Sequence, residues 1–316
     1  LVVPTARNSG NLGTFITKDR AMMRSSLFLA LAIATGSIAS LASADATAQT
    51  AQAVRATAEA SMVLTGNIDV AADGSVSNLV LDQREVLTSS IASFVDGTIR
   101  SWRFEPTLRD GAPVPVHAPL RVRLLGKPSG DGGMQVRMSS VDFTQYNDTA
   151  TDTVTRNRMT PPRYPEAAFR GGAQGDVLLL VRVARDGTVA DVVAEQVNMG
   201  VVAPERTMQQ LRELFAKASI TAARKWTFAP PTTGENKDRA DWTIRVPVSY
   251  TLGKDLKSRP EAYGTWRAFI PGPRQSAPWR QDDAQQAGSD LLPAGGVYMV
   301  DGVNRGLRLL TPLSKD

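Results

Sequence analysis

Apolar and polar residues alternate strictly over 241–252. Trp242, Ile244, Val246, Val248, Tyr250 and Leu252 point one way, and Thr243, Arg245, Pro247, Ser249 and Thr251 the other. That is the pattern of a strand covered on one face. Pro247 has no N–H to give to a ladder, so this strand is expected at a sheet edge or a bulge. Over 176–183, Val177, Leu179, Val181 and Val183 share a face. Asp186-Gly187 then supplies the positive φ angles of a tight hairpin, and 188–197 is the returning strand. From 205 to 225 the period changes. Met208, Leu211, Phe215, Ala218 and Ala222 form one apolar stripe at helical spacing, which predicts an amphipathic helix. Trp226 and Phe228 follow as the chain leaves it. Upstream, Pro165 suits the start of a short helix that Gly171-Gly172 stops.

The same order occurs earlier in shortened form. Leu64, Gly66, Ile68 and Val70 lead to Asp73-Gly74, and 76–82 returns. Leu87, Ile91, Phe94, Thr98 and Trp102 give a helical stripe, and Val114, Val116, Ala118, Leu120, Val122 and Leu124 a final alternating strand. Trp102-Arg103-Phe104-Glu105-Pro106 matches Trp226-Thr227-Phe228-Ala229-Pro230. The expected fold class is α+β, with two small domains. Each is an antiparallel three-stranded sheet with one or two helices packed on one face. The domains span 58–126 and 161–253, joined by a linker over 127–160 and followed by a Pro/Gly-rich tail over 254–316.

Composition narrows the chemistry. The 316 residues include no cysteine and one histidine, His117. Thiol nucleophiles, disulfides, Cys/His zinc sites and any Ser-His-Asp triad without His117 are thereby excluded. The net charge of +5 comes partly from Arg7, Lys18, Arg20 and Arg24 near the start. The remaining basic residues are scattered, without the patch that nucleic acid requires. Residues 1–21 carry no pattern and read as an extension. Within 22–48, Arg24, the apolar run 27–39 and Ala42-Ser43-Ala44 or Ala46-Thr47-Ala48 form the three parts of a secretory signal peptide. An uncleaved anchor is the alternative. Cleavage implies export, and a periplasmic location in a bacterium with two membranes.

Tyr164-Pro165-x-x-Ala168, Gly175-x-Val177, Asp186-Gly187-x-Val189, Ala223-x-x-Trp226-x-Phe228-x-Pro230 and Val246-Pro247-Val248 occur in this order. Together they resemble the TonB C-terminal domain family, and Asp73-Gly74, Trp102 to Pro106 and the strand at Pro119 look like a degenerate second copy. The resemblance implies a small antiparallel sheet with helices on one face. It also implies a non-catalytic, cofactor-free role gripping an extended segment of a membrane-associated protein, such as a TonB-dependent outer-membrane receptor. Between 126 and 133 there is only a short Gly-rich linker, not the long Pro/Lys spacer usual in the family. An accessory periplasmic binding protein therefore fits better than an inner-membrane-anchored energy transducer. A structural protein of the envelope or peptidoglycan is the reading from another class.

Several residues have a plain structural role that outweighs a chemical one. Trp102, Phe104, Trp226 and Phe228 are expected in the cores where helix meets strand. Asp73 and Asp186 open hairpin turns. His117 is expected to face solvent with no partner. The last strand is the expected binding site, because an exposed edge offers unpaired N–H and C=O groups to an incoming peptide. Its outward residues, Thr243, Arg245, Ser249 and Thr251, are the expected partner contacts. Arg245 and Ser249, with Arg121 and Arg123 in the first copy, either favour acidic partners or simply keep a sheet edge soluble. Exposed edges also make self-association through strand exchange an expectation. The tail either wraps the domains or binds a partner.

Overall fold

The computed structural model describes residues 2–4, 51–129, 133–143, 147, 149–252, 263–280, 294–300 and 307–313. The expected signal peptide lies outside these, as does all of 1–21 except 2–4. Among the described residues no helix is long and apolar enough to cross a membrane.

A helical segment, α1 (51–56), precedes the first sheet. That sheet holds β1 (Val2–Pro4), β2 (Glu59–Val70), β3 (Val76–Leu81), β6 (Val116–Pro128), β7 (Gly133–Asp142) and β13 (Arg267–Phe269). The order is β1-β7-β6-β2-β13, with β3 also on β2. Period-2 alternation buries Met62, Leu64, Ile68 and Val70 from β2 against Ala118, Leu120, Val122 and Leu124 from β6. Helix α2 (Ser89–Arg100) closes that face, and the Thr88 hydroxyl accepts from Ile91 N–H as its cap. The helix buries Ile91, Ala92, Val95 and Ile99. Of the expected stripe only Ile91 is among them: Phe94 and Thr98 lie in the helix but are half-buried, and Leu87 and Trp102 fall outside it. Trp102 and Phe104 are buried beside it, edge-on to each other and to Phe143. Between α2 and β6, β4 (Leu108–Arg109) and β5 (Ala112–Pro113) make a small surface hairpin.

The expected linker over 127–160 is more structured than its composition suggests. β7 occupies much of it, paired with β6 from Arg121↔Asp142 to Pro128↔Met134. Val136 and Met138 join the first core. Further on, β8 (Thr155–Arg158) pairs with β11 (Thr227–Ala229). Neither sheet is three-stranded.

The second sheet runs β10-β9-β12-β14, from β9 (Gly175–Ala184), β10 (Val189–Met199), β12 (Asp241–Tyr250) and β14 (Tyr298–Met299), all antiparallel. Val177, Leu179, Val181 and Val183 face Trp242, Ile244 and Val246 in one core. Short α3 (Glu166–Arg170) and long α4 (Glu205–Ala223) cap that core. From α4, Met208, Phe215, Ser219 and Ala223 are buried, with Leu211, Ala218 and Ala222 partly so. The Phe215 ring stacks on Tyr250 with centroids 4.4 Å apart, and the Ser219 hydroxyl meets the Tyr250 hydroxyl at 2.8 Å.

The opposite face of this sheet is also covered. Leu178, Leu180, Thr243 and Arg245 are all buried there. The tail crosses them: Ile270 exchanges backbone hydrogen bonds with Met199, and Ala277 is buried on the way to Trp279. In its described parts the tail is therefore an ordered wrap.

Candidate partner-binding edge

Both hairpin turns are held in the same way. Gly74 and Gly187 sit at φ +81° and +83°, a region open to glycine at little cost. Their carbonyls accept from Phe104 N–H and Phe228 N–H, each at 2.8 Å. A Cβ on either glycine would lie 2.1 or 2.2 Å from the Phe104 or Phe228 oxygen. The Trp-x-Phe strand thus docks on the hairpin turn in both units. Asp73 accepts from the Ser75 hydroxyl and N–H, and Asp186 from those of Thr188. These bonds hold both carboxyls below the ordinary carboxylate range. They are turn residues, as their position in the sequence indicates.

His117 is exposed but not alone, because its Nδ1 lies 2.5 Å from Asp69 Oδ1 on the neighbouring strand. The two residues face each other in the β2–β6 register. His117 and Asn78 together lower the Asp69 pKa. Among the described residues, no group of three His, Asp or Glu side chains is placed to hold a metal.

The four expected edge residues separate into two pairs. Thr243 and Arg245 are 2% and 4% exposed, so they do not face solvent. Arg245 reaches across β9 and makes a two-pronged ion pair with Glu195, Nε to Oε2 at 2.8 Å and Nη2 to Oε1 at 3.2 Å. Arg274 from the tail adds a third contact to Glu195 at 3.3 Å. Above them the Arg182 guanidinium lies 5.6 Å from the Trp279 ring centroid, within cation–π reach. The Trp279 indole N–H donates to the Thr243 hydroxyl at 3.2 Å. Arg245 is thus neutralised inside the protein and is not presented to an acidic partner. Arg121 is likewise paired, with Asp142 at 3.1 Å. Ser249 and Thr251 do remain exposed, and the Ser249 hydroxyl donates to Asp176.

β12 is an edge only in part. The tail pairs with it at Ile244↔Met299 and Arg245↔Tyr298. Val300 N–H donates to the Thr243 carbonyl and Gly295 N–H to that of Pro247. The alternation of 241–252 reveals a strand with one apolar face, and nothing in it shows that the other face is covered by residues some thirty positions downstream and half the edge by residues some fifty-five downstream. From Val248 to Tyr250, among the described residues, no strand pairs on that side.

A groove of about 620 Å³ lies between α4 and the 158–165 segment. Arg158, Arg163, Lys217, Lys225, Tyr164 and Leu214 are among the residues that line it. Pro161, Pro162 and Pro165 also line it and have no N–H to give to a ladder.

The second unit is thus an α+β fold with α4 packed on its sheet and the edge of β12 partly open among the described residues. Over 103 residues the chain is 37% identical to the protein TonB of Xanthomonas campestris pv. campestris strain B100, and equally to TonB of strain ATCC 33913. The chain therefore contains a TonB C-terminal-like domain. The matched stretch is 33% of this chain, and it spans about 40% of the length of these curated relatives. The solution NMR structure of the Pseudomonas aeruginosa TonB CTD aligns at 24% identity with a TM-score of 0.23, covering 32% of this chain and 88% of that one. No family model matches.

Proposed function

We propose that this chain is a periplasmic, non-catalytic TonB-family protein. It binds extended segments of membrane-associated partners, such as TonB-dependent outer-membrane receptors, by strand addition to β12. The observation that carries the reading is the half-open edge. β12 continues past its pairing with β14, and over Val248–Tyr250 its outer side has no paired strand among the described residues. An extended segment laid there satisfies backbone groups that otherwise need water. Likeness to TonB over a third of the chain points to the same class of partner. The first unit is read as a diverged second copy, supported by the matching contacts at Gly74–Phe104 and Gly187–Phe228. Recognition rests on backbone pairing and apolar side chains, since Arg245 is already paired with Glu195.

In-cell photocrosslinking from Ser249, with mass spectrometry of the adducts, tests this. Adducts to an outer-membrane receptor or another membrane-associated protein are the expected result. Adducts confined to cell-wall proteins or to a second copy of this chain would overturn it.

A further inference from the structure

The tail residues on β12 show what that edge accepts. In the segment 294–300 (Ala-Gly-Gly-Val-Tyr-Met-Val), Val297 is 4% exposed and sits in the second core, and Met299 packs against it. Met299 faces Ile244 in the register, so Val297 and Met299 lie on the core side of the sheet. Tyr298 faces Arg245 on the other side. Two backbone donors, Val300 N–H and Gly295 N–H, fix the ends on Thr243 and Pro247. This is strand addition carried out by the chain on itself, with apolar side chains at alternate positions filling the wall of the core.

The segment is also tethered on both sides. Before it, 267–280 is fixed by the Ile270–Met199 bonds, the Arg274–Glu195 pair and Trp279. After it, Leu307 is buried in the first core, Glu105 N–H donates to the Arg308 carbonyl, and Leu310 N–H to that of Arg103. An occupant held this way acts at a high effective concentration with few contacts of its own. By comparison, β9 pairs with β12 along ten residues, from Asp241↔Ala184 to Tyr250↔Gly175.

We infer that 294–300 is a built-in competitor for the β12 edge. The partner segment it mimics is extended, runs antiparallel to β12, and carries apolar side chains at two alternate positions, where Val297 and Met299 now sit. Partner binding across the whole edge requires 294–300 to leave first, which lowers the apparent affinity by the fraction of chains in which the edge is free. The inference rests on the strand-accepting function proposed above and adds to it the pattern of the partner and the means of its control.

The test uses the full chain and a fluorescent peptide with the sequence of 294–300, followed by anisotropy. Val300→Pro removes one anchoring donor, and Val297→Asp places a carboxylate in the core. Each leaves β12 and β9 unchanged, and slow hydrogen exchange in β9 verifies that each variant is folded. Both variants are expected to bind the peptide at least about tenfold more tightly than the unmodified chain. The chain has no native cysteine, so Thr243→Cys with Val300→Cys forms a unique cross-strand lock. Oxidised, it should abolish binding, and reduction should restore it. A peptide with Asp at both apolar positions should not bind. Equal binding to the unmodified, released and locked chains would overturn the inference, as would no binding to the folded released variants. Crosslinking from Ser249 separates this from the function itself. Partner adducts in equal yield with and without Val300→Pro refute the competitor and leave the function standing. Peptide binding in vitro without an envelope partner in cells refutes the function and leaves the occupied edge standing.

Discussion

Glu195 is buried on the face of β10 away from the apolar core, where the tail covers it through Arg274 and Gln275. The pairing with β9 shifts between Ala194 and Gln196, so Glu195 is the extra residue of a bulge. Val192 and Ala194 precede it on the core face, and Val197 and Met199 resume that face with opposite parity. Alternation after Ala194 already points this carboxylate away from the apolar core toward Arg245, and the bulge returns Val197 and Met199 to the core face. Removing one member of a buried ion pair leaves the other without compensation, at about 3–5 kcal/mol. Glu195→Gln is thus expected to lower the urea-unfolding free energy by about that range, whereas Glu195→Leu with Arg245→Met should cost clearly less. A double substitution as damaging as the single one would show that the pair is not the source of the cost. At the turns, the positive φ alone makes alanine unfavourable by about 1–3 kcal/mol. Gly111 shares that φ, at +80°, with nothing near its absent Cβ, while Gly187 has the Phe228 oxygen at 2.2 Å. Gly187→Ala and Gly74→Ala should therefore destabilise more than Gly111→Ala in the same urea series. Equal shifts would remove the turn-to-strand contact from the account.

Among the elements, those whose pattern is set by their own core face were legible in the sequence. β9, β12 and α4 lie close to their expected bounds because Val177 to Val183, Trp242 to Val246 and Met208 to Phe215 answer to one core each. The hairpin turns were legible as well, although only the glycine of each Asp-Gly pair takes the positive φ expected of both. What the sequence concealed depends on distant partners. Thr243 and Arg245 read as a solvent face because polar residues alternate there, and only the tail's Arg274 and Trp279 change that. The strand β7 shows only a brief alternation, Met134, Val136 and Met138, before a polar stretch. Strands β13 and β14 are short and take their conformation from the edges they meet. Such elements should differ in local stability. Amides of β9, paired on both sides by β10 and β12, are expected to exchange hydrogen only on global unfolding. The Val300 amide, held by one bond to Thr243, should exchange by local opening and more rapidly. Exchange followed by NMR checks this, and equal protection at the two places would mean that 294–300 opens only with the whole domain.

For the molecule as a whole, the tail connects two cores that otherwise belong to separate sheets. β13 pairs with β2 of the first sheet, and the next residue, Ile270, bonds to Met199 of the second. Later, Leu309 bridges to Phe104 and returns the chain to the first core. Tyr263 begins this path by donating its hydroxyl to the Thr65 carbonyl at 3.0 Å. Burial, with a smaller contribution from the charges of Asp82 and Glu85, pushes the phenol up to about 12, against the lowering effect of the Thr65 bond. Its value when unfolded is 10.0. The folded state therefore retains this proton more strongly than the unfolded state does. The resulting stabilisation is complete below pH 10 and is lost as pH rises toward 12. Tyr164 and Tyr250 are raised by burial too and act in the same direction. The specific expectation is thus a difference: across this interval the urea midpoint should fall less in Tyr263→Phe than in the unmodified chain. Hydrogen exchange in β13 should show the same contrast, because the phenolate loses its bond to Thr65 at the start of the connecting path. Identical pH profiles for the two chains would mean that the Tyr263 bond adds nothing to the first sheet's hold on the tail beyond β13 and the Leu307–Leu310 contacts.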